Sequence, residues 1–306
     1  VIESPYDPAK YEMKPWTEPR TVDIEAQADE NIPLEDQYQT TIAWALDFKA
    51  TDDPLLCDLG NVLEILGKTN NSPLYKALVE TRIAKTVSAN LSVETLYPFI
   101  AIEATGFRKE QTEEIEKIIL DVVKKYSEED LDFERLDGFI HRIRISNRMP
   151  SNKQGLGLLS SCAQQWIHGA NPLQLIDFND NLEGSYERTR KPGFMSELIK
   201  KHMVENKHCL FARLIPVTGY QEKFMEEDKK KLEELKSSLS QEQIQKIIDD
   251  KNRIEEAQKA PQPVHLLPYI KRSDISKESR YRHPDLEEDG VTYFFNPTNG
   301  ILYYQM

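Results

Sequence analysis

The spacing of apolar residues predicts two strands at the start of the chain and two more after a helical stretch. In RTVDIEAQ, Val22 and Ile24 alternate with polar neighbours, which is the period of a half-buried strand. A second strand is predicted at TTIAWALDF, and two further strands lie within residues 84–107. Because their connections are short, these strands are expected to pair antiparallel.

Helical spacing of apolar residues occupies most of the remaining chain up to residue 219. Two helices are predicted at DPLLCDLGNVLEILG and LYKALVETRI, and the clearest helix spaces apolar residues from Ile115 to Tyr126 along one face. Further helices are predicted at DFERLDGFIHRIRISNR, LGLLSSCAQQWIHG and FMSELIKKHMVEN, before a closing strand at HCLFARLIPV. This order predicts an α+β domain over residues 20–219, with an antiparallel sheet covered by helices.

Charged residues become dense after this domain. Residues 220–259 are nearly all helix formers with a narrow apolar stripe, and Ser240 followed by Gln243 has the spacing of a capping box. An antiparallel helical hairpin is therefore predicted at 220–259. Residues 1–19 form a Pro-rich leading linker, and residues 260–306 are expected to hold a linker and the first strands of a next domain, at VTYFF and ILYYQM.

Composition and charge exclude several classes of partner. The chain of 306 residues carries a net charge of -13, which opposes binding to the phosphate backbone of nucleic acids. It has no run of about 18 apolar residues, so no membrane partner is predicted. The three cysteines, at Cys57, Cys162 and Cys209, are far apart and are interpreted as buried reduced thiols.

The segment KHMVENKH is the candidate metal site, and it is incomplete. His202 and Glu205 begin the inverted zinc motif His-x-x-Glu-His, but the second ligand position is Asn206. His208 does not replace that ligand, because six residues of helix rotate it by roughly 240° from His202. We therefore predict no metal ligand here.

Two other segments have simple structural interpretations that we favour. His141, Arg142, Arg144 and Arg148 form a basic cluster, which is interpreted as a solvated or ion-paired helix face rather than as a contact for an acidic peptide. KQGLGLLSSC lacks the order of a phosphate-binding loop and is interpreted as the start of a helix. The residues alone thus predict no catalytic, cofactor-binding or metal-binding residue in this chain.

Several longer segments together resemble a known family. They are LGKTNNSPLYKALVETRIAKTVSANL, GLGLLSSCAQQWIHGANPLQLI, HCLFARLIPV and NPTNGILYYQM. In this order they resemble the presequence protease and falcilysin branch of the pitrilysin (insulinase-like) zinc metallopeptidases. The resemblance implies an internal portion of such a protein: its second domain, the hairpin that joins two halves, and the start of the third domain.

The resemblance also implies a function for the parent protein. Such a metalloendopeptidase degrades unfolded peptides inside a closed chamber of two halves, and its zinc lies in a catalytic domain upstream of Val1. This chain would supply chamber wall and linker between that domain and a second half downstream, with no zinc of its own and no activity alone. A catalytically inactive scaffold subunit of the same fold and a partner-binding hairpin module are the alternatives. The expected compartment is an organelle lumen such as the mitochondrial matrix, with the cytoplasm as the alternative.

Overall fold

The computed structural model describes residues 12–51, 53–149, 154–176, 178–261, 266, 268–278, 283–295 and 300–303. The chain divides into two compact units. The first unit comprises Val1–Tyr220 with Thr298–Met306, and the second comprises Gln221–Pro297.

Five strands of the first unit form one sheet within the described residues. They are β1 (Arg20–Gln27), β2 (Tyr38–Ala45), β3 (Thr86–Ser92), β4 (Phe99–Phe107) and β5 (Cys209–Val217). Their spatial order is β1-β5-β2-β4-β3, and β2, β3 and β4 pair antiparallel as predicted. The sheet is mixed, however, because β5 returns from the helical region between β1 and β2 and runs parallel to β1. The α+β class predicted from the sequence is confirmed.

The helices of the first unit follow the predicted segments closely. They are α1 (Asp53–Leu63), α2 (Pro73–Tyr75), α3 (Thr112–Tyr126), α4 (Phe133–Arg148), α5 (Gln154–Trp166), α6 (Pro172–Ile176), α7 (Phe178–Thr189) and α8 (Phe194–Ile199). Wider π-helical turns at Glu64–Lys68, Lys76–Glu80 and Lys200–Val204 continue α1, α2 and α8. Helices α6 and α7 lie outside the predicted segments. Helix α7 has few apolar residues and docks on α1 partly through polar bonds, with Asn61 Nδ2 donating to Ser185 Oγ at 2.9 Å.

The hydrophobic core lies between one face of the sheet and the helices. Ile42, Trp44, Ile100 and Ile102 point into it and are at most 1% exposed. Burial of each such side chain stabilises the fold by about 1.5–3 kcal/mol. At Gly67, the turn that continues α1 comes so close to β3 that an added Cβ would lie 2.4 Å from the Cβ of Ala89.

A buried ion pair connects the sheet to α3. The Glu116 carboxylate accepts bonds from Arg213 Nε at 2.9 Å and Arg213 Nη2 at 2.7 Å, and from Thr40 Oγ1 at 2.8 Å. Thr40 and Arg213 are cross-strand partners on β2 and β5. One carboxylate on a helix therefore connects two neighbouring strands through hydrogen bonds.

The second unit contains most of helix α9 (Tyr220–Ser238) and helix α10 (Gln241–Lys259). The predicted capping box is present, since Ser240 N donates to Gln243 Oε1 at 2.8 Å and Gln243 N donates to Ser240 Oγ at 3.2 Å. Neither helix buries a side chain among the described residues. Both helices therefore carry apolar side chains that are exposed within this unit.

A small hairpin follows the helices. Strands β6 (Leu286–Glu288) and β7 (Val291–Tyr293) pair antiparallel around a turn at Asp289 and Gly290. The strand predicted at VTYFF is thus present in part, but its partner precedes it. The strand predicted from Ile301 onward is not formed at residues 301–303, and residues 304–306 lie outside the described part.

Candidate functional site

The incomplete zinc motif lies in the π-helical turn Lys200–Val204 and just after it. His202 is 2% exposed, and its ring meets Phe48 edge-on with centroids 5.8 Å apart. Its Nε2 is buried and has no hydrogen-bond partner among the described residues. Burial lowers the pKa of His202, and nearby Lys201 lowers it further, while Asp47 opposes them. The neutral imidazole is therefore favoured.

The other residues of the motif have structural partners. Asn206 Nδ2 donates to the carbonyl oxygens of Ala45 at 2.8 Å and His202 at 3.1 Å, and its Oδ1 accepts from the backbone N of His208 at 2.9 Å. Glu205 lies 3.8 Å from Lys200 Nζ. Asn206 thus joins the helix end to the sheet, which explains why an amide suits a position that the zinc motif gives to histidine.

The residues that are present do not fit a zinc ion. The His208 ring packs on Trp16 with centroids 4.6 Å apart, and burial lowers the pKa of His208. Throughout the part of the chain that the structure describes, no group of three His, Cys, Asp or Glu side chains could hold a metal. No chemical step is assigned to a metal in this chain.

The basic face of α4 is ion-paired, in agreement with the favoured interpretation. Arg142 Nη2 lies 2.6 Å from Glu64 Oε1 on the turn that continues α1. Arg144 binds Glu183 on α7 with both its Nε, at 2.7 Å, and its Nη2. Salt bridges from α4 to its two neighbours therefore account for Arg142 and Arg144 of this cluster.

The three cysteines are not paired with one another. Cys57, Cys162 and Cys209 form no disulfide with one another. Cys162 and Cys209 are buried, whereas Cys57 is only partly buried. Burial raises the pKa of Cys209 to about 12, so its thiol stays protonated at neutral pH.

The sheet face opposite the core carries the outward-pointing side chains of the strands. Along β2 and β4 the residues alternate, with buried Ile42 and Ile102 facing the helices and half-buried Ala43 and Ala101 facing the other way. Cross-strand register places Ala43 beside Ala101, Thr41 beside Glu103, and Asn90 beside Ala101. We call this surface the open face.

The open face changes character from one edge to the other. On β1 and β5 it is apolar, with Val22 39% and Ile24 43% exposed and Leu214 paired to Ile24. On β3 it is polar, with Ser88 and Asn90. Small side chains in the centre leave room for an extended chain lying on the sheet. The outward alanines on β2 and β4 are the sequence signal of this surface, but periodicity alone gives them no function.

Glu103 is the charged residue at the centre of this face. It lies between Thr41 on β2 and Ser88 on β3. Its carboxylate makes no hydrogen bond or ion pair with the residues that the structure describes, so it is available to a cationic or amide group above the sheet.

Comparisons with known proteins relate this chain to a peptidase family. A sequence model of the "Peptidase M16 inactive domain" matches residues 5–142, and a model of the region associated with subfamily C of the M16 peptidases matches residues 214–306. Among solved structures, a protease from Helicobacter pylori superposes with a TM-score of 0.55 at 14% identity, covering 71% of this chain and 47% of that one. The M16 inactive domain from Pseudomonas fluorescens gives 0.50 at 18% identity, covering 66% and 44%. Family models of the M16 peptidases therefore match most of this chain, and residues 5–142 match their inactive domain.

Several relatives of this chain are named presequence protease. Mitochondrial presequence protease of Xenopus tropicalis is 25% identical over 299 residues, which is 95% of this chain and 29% of that protein. Protein HypA of Clostridium perfringens is 27% identical over 248 residues, 78% of this chain and 25% of that protein. The chain thus spans less than a third of the length of these relatives. The resemblance to the presequence protease branch is confirmed.

Proposed function

We propose that this chain is a non-catalytic portion of a zinc metalloendopeptidase, and that its open face forms part of the wall of a peptide-binding chamber. The observation that carries this proposal is the outward sheet face with small, half-buried central residues, Ala43 and Ala101. It lies in a unit without a candidate metal cluster among its described residues. An extended peptide could lie on such a surface without selection by bulky side chains. Zinc and the groups that activate water would belong to another domain of the parent protein.

The proposed division of the chain follows the predicted boundaries. Residues 20–219 would build the wall, residues 220–259 would link two halves, and residues 1–19 and 260–306 would connect to neighbouring domains. The parent would act on unfolded peptides, with its catalytic domain upstream and a second half downstream. The name of the Xenopus tropicalis relative supports a mitochondrial location. No described helix is long and apolar enough to cross a membrane.

The test replaces one small wall residue in the full-length parent. We expect Ala101→Trp to lower the kcat/KM for a long unstructured peptide about tenfold, which corresponds to about 1.4 kcal/mol. The indole would occupy the surface on which the peptide lies, whereas a short fluorogenic peptide, which need not reach the wall, should be cleaved as before. Ala257→Trp, on the exposed surface of α10, is the matched control.

Equal cleavage of the long peptide by the parent and Ala101→Trp, at unchanged thermal midpoint, would contradict the wall assignment. Loss of activity on both substrates with a lowered midpoint would instead report a folding defect. In that case Ala101→Ser, which keeps the surface small, should retain cleavage of both peptides if the wall assignment holds.

The helical pair supports the linker role by a separate observation. On α9, Phe224, Met225 and Leu232 line one side of a groove of about 350 Å³ and are 49%, 64% and 64% exposed. Exposed apolar side chains grouped along one helix often mark a surface that a partner covers. We propose that another part of the parent covers them, and an increase in protease cleavage within α9 after deletion of the remaining domains would support this.

A further inference from the structure

A second concave site lies at one end of the sheet, away from the open face. It is a cavity of about 500 Å³ where β3 begins and β4 ends, which is within the range of small-ligand sites. Its lining includes Arg82, Lys85 and Arg108 as cations and Asp36 as a carboxylate. A chain with a net charge of -13 therefore has a locally cationic cavity.

The cations are weakly held by the protein itself. Asp36 lies 3.8 Å from both Lys85 Nζ and Arg108 Nε, and Glu35 lies 3.6 Å from Arg108 Nη2. These pairs are long and exposed, so each contributes little to stability. The Arg82 side chain makes no hydrogen bond or ion pair with any residue that the structure describes. An anion in the cavity could therefore form ion pairs with all three cations, and little stability would be lost with the existing pairs.

The backbone is arranged to present two of these cations. Arg82 has a positive φ of 62°, a left-handed conformation that is unfavourable for a residue with a Cβ. It occupies a turn closed by bonds from the backbone N of Ile83 and of Ala84 to Leu78 O, at 3.1 and 3.0 Å. At Gly106, with φ 76°, an added Cβ would lie 2.6 Å from Lys85 Cβ. Glycine there allows the stem of Lys85 to lie across the end of the strand.

Apart from Gln111, the remaining side chains that line the cavity are apolar. Val79 and Ile83 are half-buried, and Phe107 is 1% exposed at the base. A ligand that satisfies both parts of the lining carries one carboxylate next to a short apolar group. The backbone N of Arg108 already binds Gln111 Oε1 at 2.9 Å, so the positive groups offered to the ligand are side chains.

We propose that this cavity binds a carboxylate joined to a short apolar group, with Arg82 and Lys85 as its ion-pairing residues. Both the C-terminus of a peptide ending in an aliphatic residue and a free aliphatic acid have this chemistry. The site is separate from the open face and does not depend on its proposed role as a chamber wall.

The experiment is an NMR titration of the full chain with N-acetylleucine and with N-acetylleucinamide, which lacks the charge. We expect saturable binding of the acid and at least about tenfold weaker binding of the amide, because charge-assisted hydrogen bonds are lost. Hexanoate is the arm that represents a free acid. Tighter binding of N-acetylleucine than hexanoate would assign the site to peptide C-termini, and the reverse would assign it to free acids.

The variants separate the site from nonspecific charge. Arg82→Asn removes the cation and suits a left-handed conformation, so it should fold normally while weakening the acid about tenfold. Lys85→Gln should weaken it similarly, and Lys117→Gln on the exposed side of α3 should leave it unchanged. The proposal would be overturned by any of three results: equal binding of the acid and the amide, binding of the acid that does not saturate up to about tens of millimolar, or unchanged affinity in a folded Arg82→Asn variant.

Discussion

Substituting Arg213 by methionine should destabilise the first unit far more than its position on a partly exposed strand indicates. The Glu116 side chain is only 7% exposed, whereas that of Arg213 is 28% exposed. Removing the guanidinium leaves a buried carboxylate with one remaining side-chain donor, the Thr40 hydroxyl at 2.8 Å. The cost of such an unpaired buried charge is about 3–5 kcal/mol.

The reciprocal substitution should cost less because it removes the buried charge itself. In Glu116→Gln the amide oxygen still accepts from Thr40, and Arg213 keeps partial contact with water. The loss of charge-assisted bonding should cost about 1–3 kcal/mol. Adding Glu116→Gln to the Arg213→Met variant should therefore raise stability by about 2 kcal/mol, since the double variant buries no charge.

Urea unfolding followed by tryptophan fluorescence would measure these differences, with Trp44 as a reporter because it is 1% exposed next to β5. Arg190→Met is the control, since Arg190 is 53% exposed and pairs with Asp137 at 3.0 Å; it should cost less than about 1 kcal/mol. If Arg213→Met cost no more than Arg190→Met, or if the second substitution lowered stability further, the proposed burial penalty would be wrong.

Two further predictions concern the incomplete motif. Because burial lowers the pKa of His202 below its ordinary value of about 6.5, the unfolded chain binds the proton more readily, so stability is full above about pH 6.5 and falls as the pH drops below it. His202→Phe should make the urea midpoint fall less as the pH drops. Part of the fall should remain, because the pKa of His208 is also lowered. If the pH dependence of the urea midpoint were the same in His202→Phe and the parent, the role given to His202 would be wrong. Asn206→His completes the His-x-x-Glu-His sequence, but metal analysis should find no stoichiometric zinc in this variant. Its free energy of unfolding should fall by about 1–3 kcal/mol, because the hydrogen bonds from the Asn206 side chain to Ala45 and His202 are lost. Zinc retained after dialysis would contradict this reasoning.

The spacing of apolar residues predicted the helices and strands that bury one apolar face. Helix α3 is the clearest case, since Ile115, Ile119 and Val123 are all buried as their spacing indicated. Helix α7 escaped prediction because much of its attachment is polar: the Arg188 guanidinium binds the buried Asp58 carboxylate with bonds of 2.8 and 3.0 Å. Such pairs leave no periodic trace, because the partner lies 130 residues away in the chain.

The sequence by itself determined the α+β class, the absence of a complete zinc motif at His202 and the family resemblance, because local spacing and residue identity carry that information. It did not determine the direction of β5 relative to β1, because β5 returns from a distant part of the chain and inserts between β1 and β2. Nor did it indicate that Asn206 serves as a connector, that Glu116 is buried, or that Arg82, Lys85 and Arg108 share one cavity. These features arise only when distant segments pack together, and the tertiary structure decided them.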